Sequence, residues 1–217
     1  MQAYIHARIQ TKPLEWQSVC QTIVQRWPDL CGSRWTLYGI WRNQIGRCRD
    51  ELNLFAHASP QWSWSDAPLK EVDKIVSFEA WSMSPTLRPT KHTPLQRQGN
   101  YAFRHFQTNP DNWDEFLKLC ADAWPGFEAS YPDCEVMGLW RYCGIDENLI
   151  NENLINAVML TRRPNLAAWE RTKIPQTEAE AEVRRTLSKR YDLCTSTYVH
   201  TTTLMTASDT ADTTRWT

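Results

Sequence analysis

The sequence predicts an α+β fold made of two tandem βαββαβ repeats whose sheets close around one interior space. Three observations predict it. The window Tyr4 to Pro28 reappears as Tyr101 to Pro125 at a constant offset, keeping Tyr, Gln, Thr, Pro and two Trp in place, Trp16/Trp113 and Trp27/Trp124. Past a two-residue insertion, LYGIWR (Leu37 to Arg42) meets VMGLWR (Val136 to Arg141). Between the copies, Ser84 to Asn100 carries three prolines and no apolar period, the mark of a linker.

Each repeat opens on a short run rich in aromatic and β-branched residues, Tyr4 to Gln10 and Tyr101 to Gln107, which predicts a first strand. Pro13 and Pro110 follow where proline suits a first helical turn, with Thr11 and Asn109 as candidate caps. The next helix carries one apolar face, Trp16, Val19, Ile23 and Trp27 in one copy and Trp113, Phe116, Cys120 and Trp124 in the other. Pro28 and Pro125 then kink that helix or start a second segment. Further strands are expected at Thr36 to Arg42, Leu52 to Ala58 and near Val76 to Met83, and at Glu135 to Arg141, Ile155 to Arg162 and Cys194 to Thr203. Helical segments are expected near Pro68 to Lys74 and within Asn165 to Arg190. The domain reading is a first repeat over 1–83, a linker over 84–99, a second repeat over 100–205 and a polar tail over 206–217, docked if at all through Trp216.

Composition narrows the function classes. With 24 Lys+Arg against 25 Asp+Glu the formal charge is −1, and no basic block is dense enough to track a polyphosphate, so no nucleic-acid partner is expected. The first ten residues show no charged start followed by an apolar run, and no stretch reaches the ~18 apolar residues of a membrane span, so no membrane partner and a cytoplasmic location are expected. Seven cysteines without a CxxC pair read as reduced core thiols, and no metal site is expected. Seven glycines argue against a phosphate cradle.

A βαββαβ unit is ferredoxin-like, with both helices on one sheet face. The stretch YAFRHFQTNPDNWDEFLKLCADAWPGFEASYPDCEVMGLWR resembles the NIPSNAP type of dimeric α+β barrel domain, in which a strand opening Tyr-x-x-Arg leads through a Pro turn into an xxFLxL helix. The resemblance spans about Tyr101 to Arg171, and Tyr4 to Ser59 more faintly. It implies an intramolecular dimeric α+β barrel whose relatives include cofactor-free monooxygenases, isomerases, cyclases and haem enzymes. No organic cofactor is expected, and haem is the one the resemblance admits. A homodimer of the pseudo-dimeric chain is a further expectation.

Strand alternation assigns candidate site residues. Ile5, Ala7 and Ile9 form the plain apolar set, leaving Tyr4, His6, Arg8 and Gln10 for the interior; the second copy offers Tyr101, Phe103, His105 and Gln107. The third strands add Asn53, Phe55 and His57, with Asn156 opposite in the repeat, and the last strand adds His200. His6, His57, His105 and His200 are the candidate proton-transfer residues. Tyr4, Arg8, Asn53, Phe55, Tyr101, Phe103, Arg104 and Asn156 are the candidate substrate-binding residues. Arg104 breaks the parity rule and is expected to reach a helix carboxylate such as Glu115 or an anionic substrate. The leading expectation is an enzyme acting on a hydrophobic, aromatic or polyketide-like molecule by acid/base chemistry, as isomerase or cyclase, or by cofactor-independent oxygenation. The alternatives are a haem-binding barrel and a non-catalytic scaffold that uses Trp62 and Trp64 as a partner patch. His92, in the linker, reads as surface.

Overall fold

The computed structural model describes residues 3–143 and 153–209. The chain falls into two compact units, Met1–Met83 with His92–Gly99 and Thr201–Thr217, and Ser84–Lys91 with Asn100–His200. In the first unit β1 (Ala3–Thr11), α1 (Trp16–Gln25), α2 (Trp27–Cys31), β2 (Thr36–Ile45), β3 (Glu51–Ala58), α3 (Ala67–Lys70) and β4 (Ile75–Pro85) follow in order. β4 pairs β1, β1 pairs β3 and β3 pairs β2, all antiparallel. In the second, β5 (Asn100–Thr108) precedes α4 (Trp113–Ser130), β6 (Glu135–Cys143), β7 (Ile155–Arg163), α5 (Leu166–Arg171), α6 (Glu178–Asp192) and β8 (Cys194–Leu204). Here β5 pairs β7 and β7 pairs β6, antiparallel, with β8 beside β5. Both units thus show the 4-1-3-2 strand order of a ferredoxin-like sheet. The last residues of β8, within the first unit, pair β2.

The apolar parity of each first strand meets the helices as expected. Ile5, Ala7 and Ile9 share a core with Trp16, Val19, Ile23 and Trp27. Phe106 and the β7 residues Ala157 and Met159 do the same with Trp113, Phe116, Cys120 and Trp124. Trp62 and Trp64 also pack against the first core, with Arg34 stacked 3.6 Å over Trp62 and the Trp35 ring edge-on to Trp64 at 5.0 Å. Both rings stay half-buried, packed on one side against this core.

Three local expectations also change. Neither Thr11 nor Asn109 caps a helix: the Thr11 hydroxyl donates to the Lys12 and Asp50 carbonyls, and Asn109 makes no capping bond. Pro28 opens α2, whereas Pro125 lies inside an unbroken α4. The helix predicted near Pro68 to Lys74 shrinks to one turn. Trp216 lies outside the described residues. Among the described residues no helix is long and apolar enough to cross a membrane.

Two features recur in both units. Each β2-type strand carries a bulge, between Leu37 and Gly39 and between Val136 and Gly138, so Tyr38 and Met137 are the extra residues. Each glycine then lies beneath the tryptophan two residues on. A Cβ at Gly39 would sit 2.7 Å from the Trp41 ring, and one at Gly138 would sit 2.7 Å from Cζ3 of Trp140. Both indoles are fully buried.

Candidate functional site

The first unit's sheet carries two polar constellations on the face away from its helices. Across β1 and β3, Tyr4 lies opposite His57, His6 opposite Phe55 and Arg8 opposite Asn53. Strand alternation places Tyr4, His6, Asn53, Phe55 and His57 together, as the sequence predicted.

The first constellation is a buried chain. His6 Nε2 meets Asn53 Oδ1 at 2.9 Å, Asn53 Nδ2 donates to Asn43 Oδ1 at 2.8 Å, and Asn43 Nδ2 donates to Glu51 Oε1 at 2.8 Å. Arg47 closes it with two bonds to the Glu51 carboxylate. A carboxylate only accepts, so Glu51 fixes the direction of every bond upstream. Asn43 must turn its amino group to Glu51 and its oxygen to Asn53. Asn53 in turn offers its oxygen to His6, which therefore carries its proton on Nε2. Burial pushes the His6 pKa down to about 3, and the Asn53 bond offsets only part of that. His6 is a neutral imidazole of defined tautomer. Burial favours the protonated form of Glu51, but the Arg47 and Asn43 bonds outweigh it and hold the carboxyl below its usual range.

The second constellation joins Tyr4, Tyr38, His57 and His92. The Tyr4 hydroxyl meets His92 Nδ1 at 2.8 Å. The His57 ring lies 5.3 Å from Tyr4, 5.8 Å from His92 and 6.2 Å from Tyr38. Tyr38 arrives there through the bulge, and its carbonyl accepts the Leu95 N–H at 3.0 Å, which ties the linker against β2 and holds His92 beside Tyr4. His57 is 8% exposed, and its Nε2 is buried with no hydrogen-bond partner. Burial lowers its pKa, the His92 ring charge adds to the effect and the His92 backbone offsets part of it, and burial also lowers that of His92. Burial raises the phenols of Tyr4 and Tyr38 well above their usual value. At neutral pH the group thus holds two neutral imidazoles and two protonated phenols.

Of the remaining candidates, Arg8 pairs with Glu79 across β1 and β4 and lies 4.9 Å over Trp81. In the second unit Tyr101 and Phe103 are fully buried. Phe103, His200, His105 and Tyr198 form a stack with successive ring spacings of 5.2, 5.4 and 4.3 Å. The Asn156 amide donates to the Leu154 carbonyl. Arg104 faces the helices as its parity required, over the Tyr191 ring rather than paired with Glu115. The repeat therefore does not duplicate the chemistry: by strand register Phe103, Val158 and Asn156 stand where the first unit has His6, Asn53 and Glu51, so Asn156 is not the counterpart of Asn53 that the sequence predicted.

Sequence reading missed Asn43, Glu51, Tyr38 and His92. Asn43 shares the strand parity of Trp41, and Glu51 lies one residue before the expected start of β3, so longer strands would have found both. Tyr38 needed the bulge, and His92 left no signal in an irregular linker.

No protein-family model matches the chain, and no curated protein matches it in sequence. In structure it is similar to an anthrone oxidase-like protein, over 94% of this chain and 91% of that one, at TM-score 0.59 and 12% identity. A mutant chlorite dismutase from Candidatus Nitrospira defluvii matches over 94% and 91% at TM-score 0.57 and 8% identity. The fold is that of the dimeric α+β barrel proteins. An uncharacterized ferredoxin fold protein from Listeria monocytogenes, related to antibiotic biosynthesis monooxygenases, matches over 93% and 94% at TM-score 0.50 and 10% identity. At these identities the likeness shows the fold alone.

Proposed function

We propose that the protein is a small-molecule enzyme of the dimeric α+β barrel type that moves a proton on a hydrophobic, aromatic or polyketide-like substrate. The supporting observation is the buried Nε2 of His57, with no hydrogen-bond partner, beside the Tyr4–His92 pair. A buried polar atom left unpartnered costs about 1–3 kcal/mol, and such costs gather where a substrate completes the hydrogen bonding. In this reading His57 Nε2 takes a proton from a carbon next to a carbonyl. The C–H electron pair moves to the carbonyl oxygen, which Tyr4 stabilises by hydrogen bonding while His92 exchanges protons with the phenol. Return of the proton to a different carbon gives isomerisation or leads to cyclisation. Dioxygen reacting with the same carbanion gives oxygenation, in line with the anthrone oxidase-like and monooxygenase-related names of two similar structures. The NIPSNAP-like stretch Tyr101 to Arg171 is kept as a finer placement within the fold.

The test uses an anthrone, an aromatic ketone with an acidic C–H, and follows proton exchange and oxygen uptake. Replacing His57 with Gln is expected to lower kcat/KM about 10²–10⁴-fold. Because the working form is the neutral base and its pKa is lowered, the wild-type rate should hold above pH 6.5 and fall only at lower pH. Undiminished turnover in His57→Gln sinks this assignment.

Haem binding is a second reading favoured by the same nitrogen, since the neutral, unpartnered imidazole of His57 could hold the iron. Bound haem would supply oxygen or peroxide chemistry through its iron. On this reading, added haemin should give a Soret band that is lost in His57→Ala and kept in His105→Ala. No band with the wild-type protein removes the reading.

A further inference from the structure

The second unit holds three arginines, Arg104, Arg163 and Arg190, that bond no carboxylate among the described residues. On the helix-bearing face of its sheet, beneath α4, α5 and α6, lies a cavity of about 210 Å³ lined by Arg104, Arg163 and Arg190 together with Trp124, Phe127 and Trp169. Arg163 is 8% exposed and Arg190 is 3% exposed. Arg163 donates from one terminal nitrogen to the Thr161 hydroxyl at 2.8 Å, while its Nε is buried with no partner. Among the described residues Arg190 bonds the Leu187 carbonyl and the sulfur atoms of Cys120 and Met159, and lies over the Phe106 and Phe116 rings. Arg104 lies 5.9 Å from the Tyr191 ring centre.

Among the described residues no carboxylate bonds any of the three. Glu180 lines the same cavity, but one oxygen accepts from Arg171 and the other from the Gln176 N–H. Arg184, also in the lining, adds more positive charge, while Lys173 there is paired with Glu170. Burial and the charge of Arg104 outweigh Cys134 and lower the Arg163 pKa to about 10; burial and Arg190 lower that of Arg104 despite Tyr191. Taking each ion out of water costs several kcal/mol, and a desolvated cation–π contact returns about 2 kcal/mol. A structural role would place a carboxylate here. The Trp124 indole N–H is likewise buried and unpartnered, so a further donor waits in the same lining.

We propose that this cavity binds a small organic anion, its carboxylate or phosphate held by Arg104, Arg163 and Arg190 and its flat apolar body packed against Trp124, Phe127 and Trp169. Guanidinium forks match the planar oxygens of such a head group. The volume lies below the ~300–1,000 Å³ of drug-sized sites, so the ligand is compact. The site uses none of the residues assigned to proton transfer and stands whether or not that assignment holds.

Sodium benzoate, and inorganic phosphate in a parallel series, are titrated into the full chain and read by tryptophan fluorescence and thermal unfolding. The expected result is a saturable fluorescence change with a rise in Tm on adding benzoate, weakened at least tenfold in Arg163→Met. Methionine removes an uncompensated buried cation, so the ligand-free variant should melt at or above the wild-type temperature, which separates lost binding from lost folding. Saturation by phosphate but not benzoate assigns the cavity to a phosphoryl group. No response to either anion, or undiminished binding in both Arg163→Met and Arg104→Met, overturns the proposal.

Discussion

Replacing Glu51 with alanine will cost about 3–5 kcal/mol of folding stability and will release the tautomer of a histidine three side chains away. The carboxylate is buried, and it receives two bonds from Arg47 and one from Asn43. Without it Arg47 loses both bonds to Glu51, and Asn43 keeps the Cys48 carbonyl at 3.2 Å as acceptor for its amino group. Arg47 is 23% exposed on its side chain and can turn partly to water, which puts the loss at the lower end of the range. Once Asn43 can flip, Asn53 can flip with it, and His6 Nε2 can face an amino group instead of an oxygen. Glu51→Gln keeps the shape and should lose less. Urea unfolding reads the stability, and nitrogen NMR of His6 reads the tautomer. An alanine variant as stable as wild type with a single Nε2–H form would falsify the directional account.

Acid will destabilise the protein through His6 from pH 6.5 downward, by about 1.4 kcal/mol per pH unit and roughly 5 kcal/mol over the whole window. The sign follows from which state binds the proton. In the unfolded chain the imidazole titrates at 6.5, while in the folded protein burial moves it to about 3, so between these values the unfolded state binds more protons. Stability is full above pH 6.5, falls as pH drops, and levels off once the folded imidazole also protonates near 3. His57 and His92 add slopes of the same sign. His6→Gln keeps a donor for Asn53 and carries no titrating group, so its unfolding free energy should vary less steeply between pH 6.5 and 4. An unchanged slope removes His6 as the source.

Local pattern made the scaffold readable, and interactions between distant segments hid much of the site. The Trp-bearing repeat and the strand parity of Ile5, Ala7 and Ile9 report burial directly, because a side chain's face depends only on its own strand. His6 and Asn53 were legible for the same reason. Their continuation through Asn43 to Glu51 was not, because it depends on β2 and β3 running past their apolar stretches. A bulge has no signature in single-residue preference, so Tyr38 went unseen, and with it the anchor that brings His92 to Tyr4. The two prolines show the limit again: Pro28 starts a new helix and Pro125 is absorbed by one, although each follows the matched tryptophan of its repeat. Arg104 could be assigned a face from the sequence, but its neighbours Arg163 and Arg190 come from β7 and α6, and only folding gathers them.

Gly39 with Trp41, and Gly138 with Trp140, each behave as a single oversized side chain spread over two positions. A mutation at either member alone meets a steric penalty or leaves a void, and tolerance requires compensatory change at both. Such mutual constraint ties down the sheet geometry in each half while leaving the polar positions of the same strands free to diverge. That is how one duplicated scaffold can hold a histidine–amide chain in one half and an aromatic stack in the other.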